Sequence, residues 1–164
     1  MIEKKYLWYG SKPLEFDLGL QENDVFFRPR GKLIWGCPIE NQNNWKSFMF
    51  SVNLPNDDSF ISERIARCKF CYEFEISDYS KILLVSKTIP LPGKYILGFK
   101  EFDTGQGIVQ SYLIDFTLIM KDGYSGFELD FEGFGGIPIV YLPWSVSSIV
   151  VWDSRILKNV TKVK

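Results

Sequence analysis

The sequence predicts a single α+β domain over residues 1–164, rich in strands and with a few helices. Aromatic residues make up 16% of the chain and occur with 13 glycines and 8 prolines, a composition typical of strands joined by tight turns. With 46% apolar residues, a chain of 164 residues is long enough to bury one substantial core. The segment FCYEFEI, residues 70–76, alternates apolar and polar residues as a half-buried strand does.

Other short apolar segments also predict strands, because turn residues bound them. They are residues 6–9 and 33–35, residues 81–86, and the segments YSGFELDF, IPIVYL and SSIVVWD near the end of the chain. Residues 13–26 are polar and rich in turn formers, and DTGQG is expected to be a plain turn.

Two segments predict helices. Residues 57–68 (DDSFISERIARC) open with capping residues and carry apolar side chains at helical spacing. Residues 108–122 are long enough for a helix and stop at Gly123, the residue type that often ends one in a left-handed conformation.

The composition excludes several kinds of chemistry. The chain contains no histidine, so nucleophile-histidine catalysis and imidazole metal ligation are impossible. Cys68 and Cys71 form one CxxC pair, but no second pair completes a zinc site, so both thiols are expected to be reduced and metal-free. With a net charge of −1, the surface as a whole does not attract nucleic acid, although a local basic patch stays possible.

The sequence also predicts a cytoplasmic protein that does not associate with membranes. Its longest apolar segments are too short to span a bilayer, and the first residues, MIEKKYLWYG, lack the apolar core of a signal peptide.

The segment GKLIWGCP leaves two interpretations open. Leu33 and Trp35 are expected to share one face of a short strand, with Ile34 on the other. The strand is expected to open at Gly36 and Cys37. It is either a buried strand followed by an ordinary turn or the floor of a pocket for a flat ligand.

A succession of segments resembles a known family. In order they are YLWYGSK, RPRGKLIWGCP with NNWKSF, FCYEFEISDYSKILLVS, YSGFELDF and SSIVVWDSRIL. Together they resemble the small ADP-ribosyltransferase-like proteins of bacteriophages and bacteria. This resemblance implies a split, strongly bent mixed β core with one or two helices packed on it.

The resemblance also implies a set of NAD-binding residues. A first element, which holds the nicotinamide ribose in that family, corresponds to Tyr9, Gly10 and Ser11, with Tyr9 where many relatives have His or Arg. The second element lines the nicotinamide pocket, and its residues here are Gly31, Leu33, Trp35, Gly36 and Cys37, with Cys37 in place of the usual Ser or Thr. Trp45 resembles an aromatic residue that follows this element.

Glu128 corresponds to the family's catalytic carboxylate, with Glu132 as the alternative. A carboxylate near the ribose stabilises the oxocarbenium-like state in which the nicotinamide bond breaks, and this needs no metal. Tyr9, Trp35 and Glu128 are therefore expected to line one cleft. In the alternative interpretations, Trp35 and Trp45 are core aromatics and Glu128 is a solvated strand residue.

Two functions follow from the resemblance. The first is an NAD-dependent mono-ADP-ribosyltransferase that uses NAD as substrate and modifies a protein or nucleic-acid acceptor. The second is a catalytically inactive protein of the same fold, such as a phage factor that binds a nucleotide or inhibits a host protein. The altered residues Tyr9 and Cys37 favour the second, and Glu128 favours the first.

Overall fold

The computed structural model describes residues 3–40, 67–144 and 147–163. The helix predicted for residues 57–68 falls outside these ranges except for its last two residues, and Trp45 falls outside them as well.

The described residues form a mixed α+β fold dominated by strands, as the composition predicts. In chain order its strands are β1 (Lys5–Gly10), β2 (Gly19–Leu20), β3 (Val25–Phe26), β4 (Gly31–Lys32), β5 (Ile34–Pro38), β6 (Phe70–Ile76), β7 (Ile82–Val85), β8 (Ile96–Asp103), β9 (Ile108–Asp115), β10 (Gly126–Leu129), β11 (Ser148–Val151) and β12 (Leu157–Lys162). One short helix, α1 (Phe116–Lys121), lies between β9 and β10 in the described part of the chain. Short 3₁₀ helices occur at Tyr79–Lys81, Gly93–Tyr95, Ile139–Trp144 and Ser154–Ile156.

Seven of the described strands form one mixed sheet in the order β12-β6-β1-β5-β11-β10-β7. Its strands are antiparallel except for β10 and β7, which pair in parallel. Two smaller sheets, β3-β9-β8 and β2-β4, complete the fold as described.

The large sheet divides at β5. In the described residues β1 and β5 pair at two positions, Tyr6 with Pro38 and Leu7 with Cys37. The first half of β5, residues 34–36, pairs with β11 along the other edge of the strand. The two halves of the sheet therefore share β5 and separate beside the second half of β1.

Each face of the large sheet packs a cluster of its own. Ile34 belongs to the cluster built around Tyr6 and Phe74. Leu33 and Trp35 pack against the cluster on the other face, which contains Phe127, Leu129, Trp144 and Val150. The predicted alternation at residues 33–35 is thus confirmed, but β5 begins at Ile34 and continues to Pro38, beyond the predicted opening at Gly36 and Cys37.

The helix predicted for residues 108–122 is wrong over its first half. Residues 108–115 form β9, which pairs with β8 over nearly its whole length, so the length of the segment is divided between a strand and a helix by tertiary pairing. Helix α1 begins only after Asp115, whose side chain accepts a hydrogen bond from the Leu118 N–H at 2.9 Å. The predicted end is confirmed, because α1 stops at Lys121 and Gly123 has a φ of +98°.

The strand predicted for IPIVYL is also wrong. Residues 139–144 form a 3₁₀ helix, in which the Tyr141 N–H donates to the Pro138 carbonyl at 2.9 Å. Pro138 and Pro143 have no N–H to give to a strand ladder, which explains the difference. The other predicted strands are confirmed, whereas the short strands β2, β3 and β4 and the longer strands β8 and β12 have no counterpart in the prediction.

In the described ranges, no helix has the length and apolar character needed to cross a membrane.

Candidate functional site

A cleft of about 400 Å³ lies beside the second half of β1. One wall comes from residues 8–18 and the other from residues 31–33, so it lies where β1 and β5 separate. Four residues carried over from the family resemblance line it: Gly10, Ser11, Gly31 and Leu33.

Two glycines shape the cleft through close contacts. The indole of Trp8 lies against Gly10, where a Cβ atom would overlap the ring. Gly31 has a φ of +129°, and a Cβ there would meet the backbone of residues 19–21. An L side chain fits neither position without a shift of the surrounding atoms.

Both apolar and charged side chains line the cleft. Trp8, Leu14 and Leu33 supply apolar surface that is only partly buried. The charged groups are Lys12, Glu15, Asp17 and Lys32. The Lys32 ammonium lies 3.5 Å from the Asp17 carboxylate, and because both side chains are exposed this pair contributes little stability.

Glu128 lies outside the residues that line this cleft. Its strand, β10, lies between β11 and β7, and the residue is only 2% exposed, so the interpretation of a solvated strand residue is wrong. Its Oε1 pairs with the Lys4 ammonium, and its Oε2 accepts a hydrogen bond from the Tyr6 hydroxyl at 3.0 Å. Both carboxylate oxygens are therefore already engaged.

Tyr79, which is itself exposed, extends this group to the surface. Its hydroxyl lies 3.2 Å from the Tyr6 hydroxyl and 3.3 Å from the Lys4 carbonyl oxygen, to either of which it can donate its single proton. Burial and the negative charge of Glu128 raise the pKa of the Tyr6 hydroxyl well above its usual range. We call Lys4, Tyr6, Tyr79 and Glu128 the carboxylate cluster.

Trp35 and Glu128 lie on opposite faces of the large sheet, so the expectation of one cleft lined by Tyr9, Trp35 and Glu128 is wrong. Trp35 is paired with Val150, which is paired with Phe127, and paired residues point to the same face. Glu128 follows Phe127 and points the other way. The Trp35 ring instead packs on Trp144, with 5.3 Å between ring centroids.

Gly36 serves packing inside the sheet. A Cβ atom at Gly36 would lie 2.6 Å from Cζ of Phe74 and 3.0 Å from Cβ of Tyr6. The missing side chain lets these two rings, stacked at 5.4 Å, lie across β5. From there Tyr6 reaches Glu128 on the far side of β11.

Tyr9 points away from the cleft and toward the cysteines. It is paired with Cys71 across β1 and β6, and its hydroxyl contacts the Cys71 thiol. Burial, together with Cys71, Cys37 and Cys68, raises the pKa of Tyr9 to about 12. The three thiols are buried and are not joined in disulfides.

No group of three or more His, Cys, Asp or Glu side chains in the described ranges could hold a metal ion. The expectation of metal-free thiols stays a prediction.

Sequence reasoning missed Trp8, Lys12 and the partners of Glu128. The alternation of β1 could have found Trp8, because it shares a face with Gly10 and Tyr6. No sequence signal joins Lys4 to Glu128, since the two residues are 124 positions apart.

No protein-family model, curated protein or solved structure matches the chain.

Proposed function

We propose that this chain is a binding protein with an ADP-ribosyltransferase-like split sheet, acting in the cytoplasm of a bacterium or of a phage-infected cell. Its ligand is a nucleotide such as NAD, bound in the cleft where β1 and β5 separate. The observation that carries the proposal is that Gly10, Ser11, Gly31 and Leu33, which are distant in sequence, line one cleft while Glu128 does not.

The cleft walls suit a ligand with a flat ring and an anionic group. The partly buried Trp8 indole and Leu14 side chain, which pack on the same core cluster, offer apolar surface to a base or a nicotinamide ring. Lys12 is exposed on the same wall and offers an ammonium to a phosphate. Gly10 and Gly31 shape these walls, because they let the Trp8 indole and the backbone of residues 19–21 pack closely against them.

The surroundings of Glu128 favour binding over catalysis. A catalytic carboxylate must reach the ribose, whereas Glu128 lies outside the cleft lining and its oxygens are paired with Lys4 and Tyr6. The Lys4 ammonium also offsets the negative charge that would stabilise an oxocarbenium-like state.

The second candidate function is an NAD-dependent mono-ADP-ribosyltransferase acting on a protein or nucleic-acid acceptor. The position of the cleft at the division of the sheet favours it, because the resemblance implies that Gly10 and Ser11 hold the nicotinamide ribose while Gly31 and Leu33 line the nicotinamide pocket. In that function Glu128 would have to leave the carboxylate cluster during the reaction.

Isothermal calorimetry with NAD tests the proposal. We expect saturable binding to the wild-type protein, weakened about tenfold by Lys12→Glu because an ammonium near the phosphates is replaced by a like charge. The matched control is Lys87→Glu, which makes the same charge change after β7, at the opposite end of the strand order. Absence of NAD binding by the wild-type protein would contradict the proposal.

Measurement of nicotinamide release separates the two functions. The binding protein should release none under conditions in which NAD is bound. Steady release that Glu128→Gln abolishes would show that Glu128 takes part in cleaving NAD, with the ADP-ribosyl group passing to water or to an added acceptor, and would favour the transferase instead.

A further inference from the structure

Three aromatic side chains form a stripe on the large sheet next to the cleft. Trp8 on β1 is paired with Tyr72 on β6, and Gly10 is paired with Phe70, two residues before Tyr72. Because paired residues and residues two apart share a face, Trp8, Tyr72 and Phe70 lie on the same side of the sheet. The centroids of the Trp8 and Tyr72 rings are 5.7 Å apart. We call these three residues the aromatic stripe.

The aromatic stripe is only partly covered. All three of its side chains have intermediate exposure, although large aromatic residues usually contribute to the core. Two other aromatic rings of the same sheet, Tyr6 and Phe74, are completely buried on this face, so the exposure is confined to the end of the sheet where β1 ends and β6 begins.

Lysines border the stripe. The Lys162 ammonium lies 5.2 Å from the centroid of the Phe70 ring, and the Lys69 ammonium lies 5.7 Å from it. Lys162 is paired with Tyr72 across β12 and β6, so it shares the face of the stripe, and both lysines are exposed. Lys12 is exposed on the neighbouring cleft wall, but Glu15 and Asp17 are exposed there too, so the positive charge at the stripe comes from Lys69 and Lys162.

The nearby acid on β6 does not offset these charges on the same face. Glu73 lies between Tyr72 and Phe74 in sequence and therefore points to the opposite side. There its carboxylate accepts a hydrogen bond from the Lys5 ammonium at 2.8 Å. The stripe face of this part of the sheet thus combines aromatic rings with positive charge.

From this arrangement we infer that the aromatic stripe binds single-stranded nucleic acid. Unpaired bases stack on exposed aromatic rings without regard to sequence, and lysines along the rings contact the phosphates. The lysine side chains are flexible, so Lys69 and Lys162 can move from the Phe70 ring to a phosphate while a base takes their place. Because the net charge of the chain is −1, the attraction to phosphates is confined to the surroundings of the stripe. The inference does not depend on nucleotide binding in the cleft.

Fluorescence anisotropy with a labelled thymidine oligonucleotide of about 12 nucleotides tests the inference. We expect salt-dependent binding that the double variant Lys69→Glu, Lys162→Glu weakens at least about tenfold, with the salt slope lower by about 1.4 because two phosphate contacts are lost. Phe70→Leu keeps an apolar side chain but removes the ring, and should weaken binding by about fivefold or more. Lys87→Glu should bind as the wild type does.

Several results would overturn the inference. They are no oligonucleotide binding at low salt, wild-type affinity in the double variant, equal affinity for a duplex of the same length, or displacement of the oligonucleotide by an equal concentration of polyglutamate. Circular dichroism of each variant shows whether it has folded. NAD calorimetry on the same double variant separates the two proposals, because it should retain NAD binding.

Discussion

At the scale of single residues, Glu128 illustrates how a residue type that suggests catalysis can be structural. The sequence places it in an apolar strand, and the structure surrounds it with one ammonium and one hydroxyl in a nearly water-free position. A buried carboxylate is tolerated when its oxygens are paired in this way, and removal of its charge leaves the partners without compensation. Its substitution should therefore affect stability first.

We expect Glu128→Gln to lower the free energy of unfolding by about 1–3 kcal/mol, because the amide still accepts the Tyr6 proton but no longer balances Lys4. For a domain of this size the melting temperature should fall by about 2–4 °C for each kcal/mol. Thermal denaturation followed by circular dichroism measures this, with the exposed Glu101→Gln on β8 as the matched control. An unchanged melting temperature together with lost NAD turnover would instead identify a catalytic carboxylate.

At the scale of elements, the sequence predicts a strand correctly where the apolar pattern of the segment agrees with its pairing in the sheet. The alternation in residues 70–76 gives the bounds of β6, and the apolar residues 82–85 give β7. Residues 108–122 fail because one apolar segment contains both a strand and a helix, and only the partner strand β8 decides where one ends. The same limit applies to the site: local motifs indicate the cleft residues, whereas the carboxylate cluster depends on contacts between distant strands.

The boundary between β9 and α1 depends on Asp115. Its carboxylate accepts a hydrogen bond from the Leu118 N–H at the start of the helix. We expect Asp115→Ala to destabilise the protein by about 0.5–2 kcal/mol, and Asp115→Asn, which retains a capping oxygen, to recover most of that loss. Urea denaturation of both variants measures the difference. Equal loss in the two variants would show that the carboxylate acts through its charge and not as a cap.

At the scale of the whole molecule, hydrogen-bonded tyrosine hydroxyls link the parts of the fold. Tyr6 lies in the carboxylate cluster, Tyr9 beside the thiols, and Tyr95 against the Asp122 carboxylate at the end of α1. Burial is the largest cause that raises the pKa of each of these hydroxyls, so the folded protein favours their neutral form throughout. The protein as a whole should therefore resist ionisation of its tyrosines.

This gives the stability a defined dependence on alkaline pH. Below pH 10 these tyrosines are protonated in the folded and the unfolded chain, so they contribute no slope. Above about pH 10 the unfolded chain loses protons that the folded one retains, so the free energy of unfolding falls as pH rises. The fall due to Tyr9 continues to its folded pKa of about 12, and the more deeply buried Tyr6 extends it further.

Urea denaturation at a series of alkaline pH values measures this slope, and tyrosinate absorbance shows when the hydroxyls ionise. Tyr6 alone should contribute about 1.4 kcal/mol per pH unit. Tyr6→Phe keeps the ring that stacks on Phe74 but has no proton to lose, so it should be less stable near neutral pH, where Glu128 loses a donor, and its stability should decline less steeply with pH. If all tyrosines instead ionise near pH 10 while the protein stays folded, the hydroxyls of Tyr6 and Tyr9 are not held in their neutral forms and the carboxylate cluster does not exist as described.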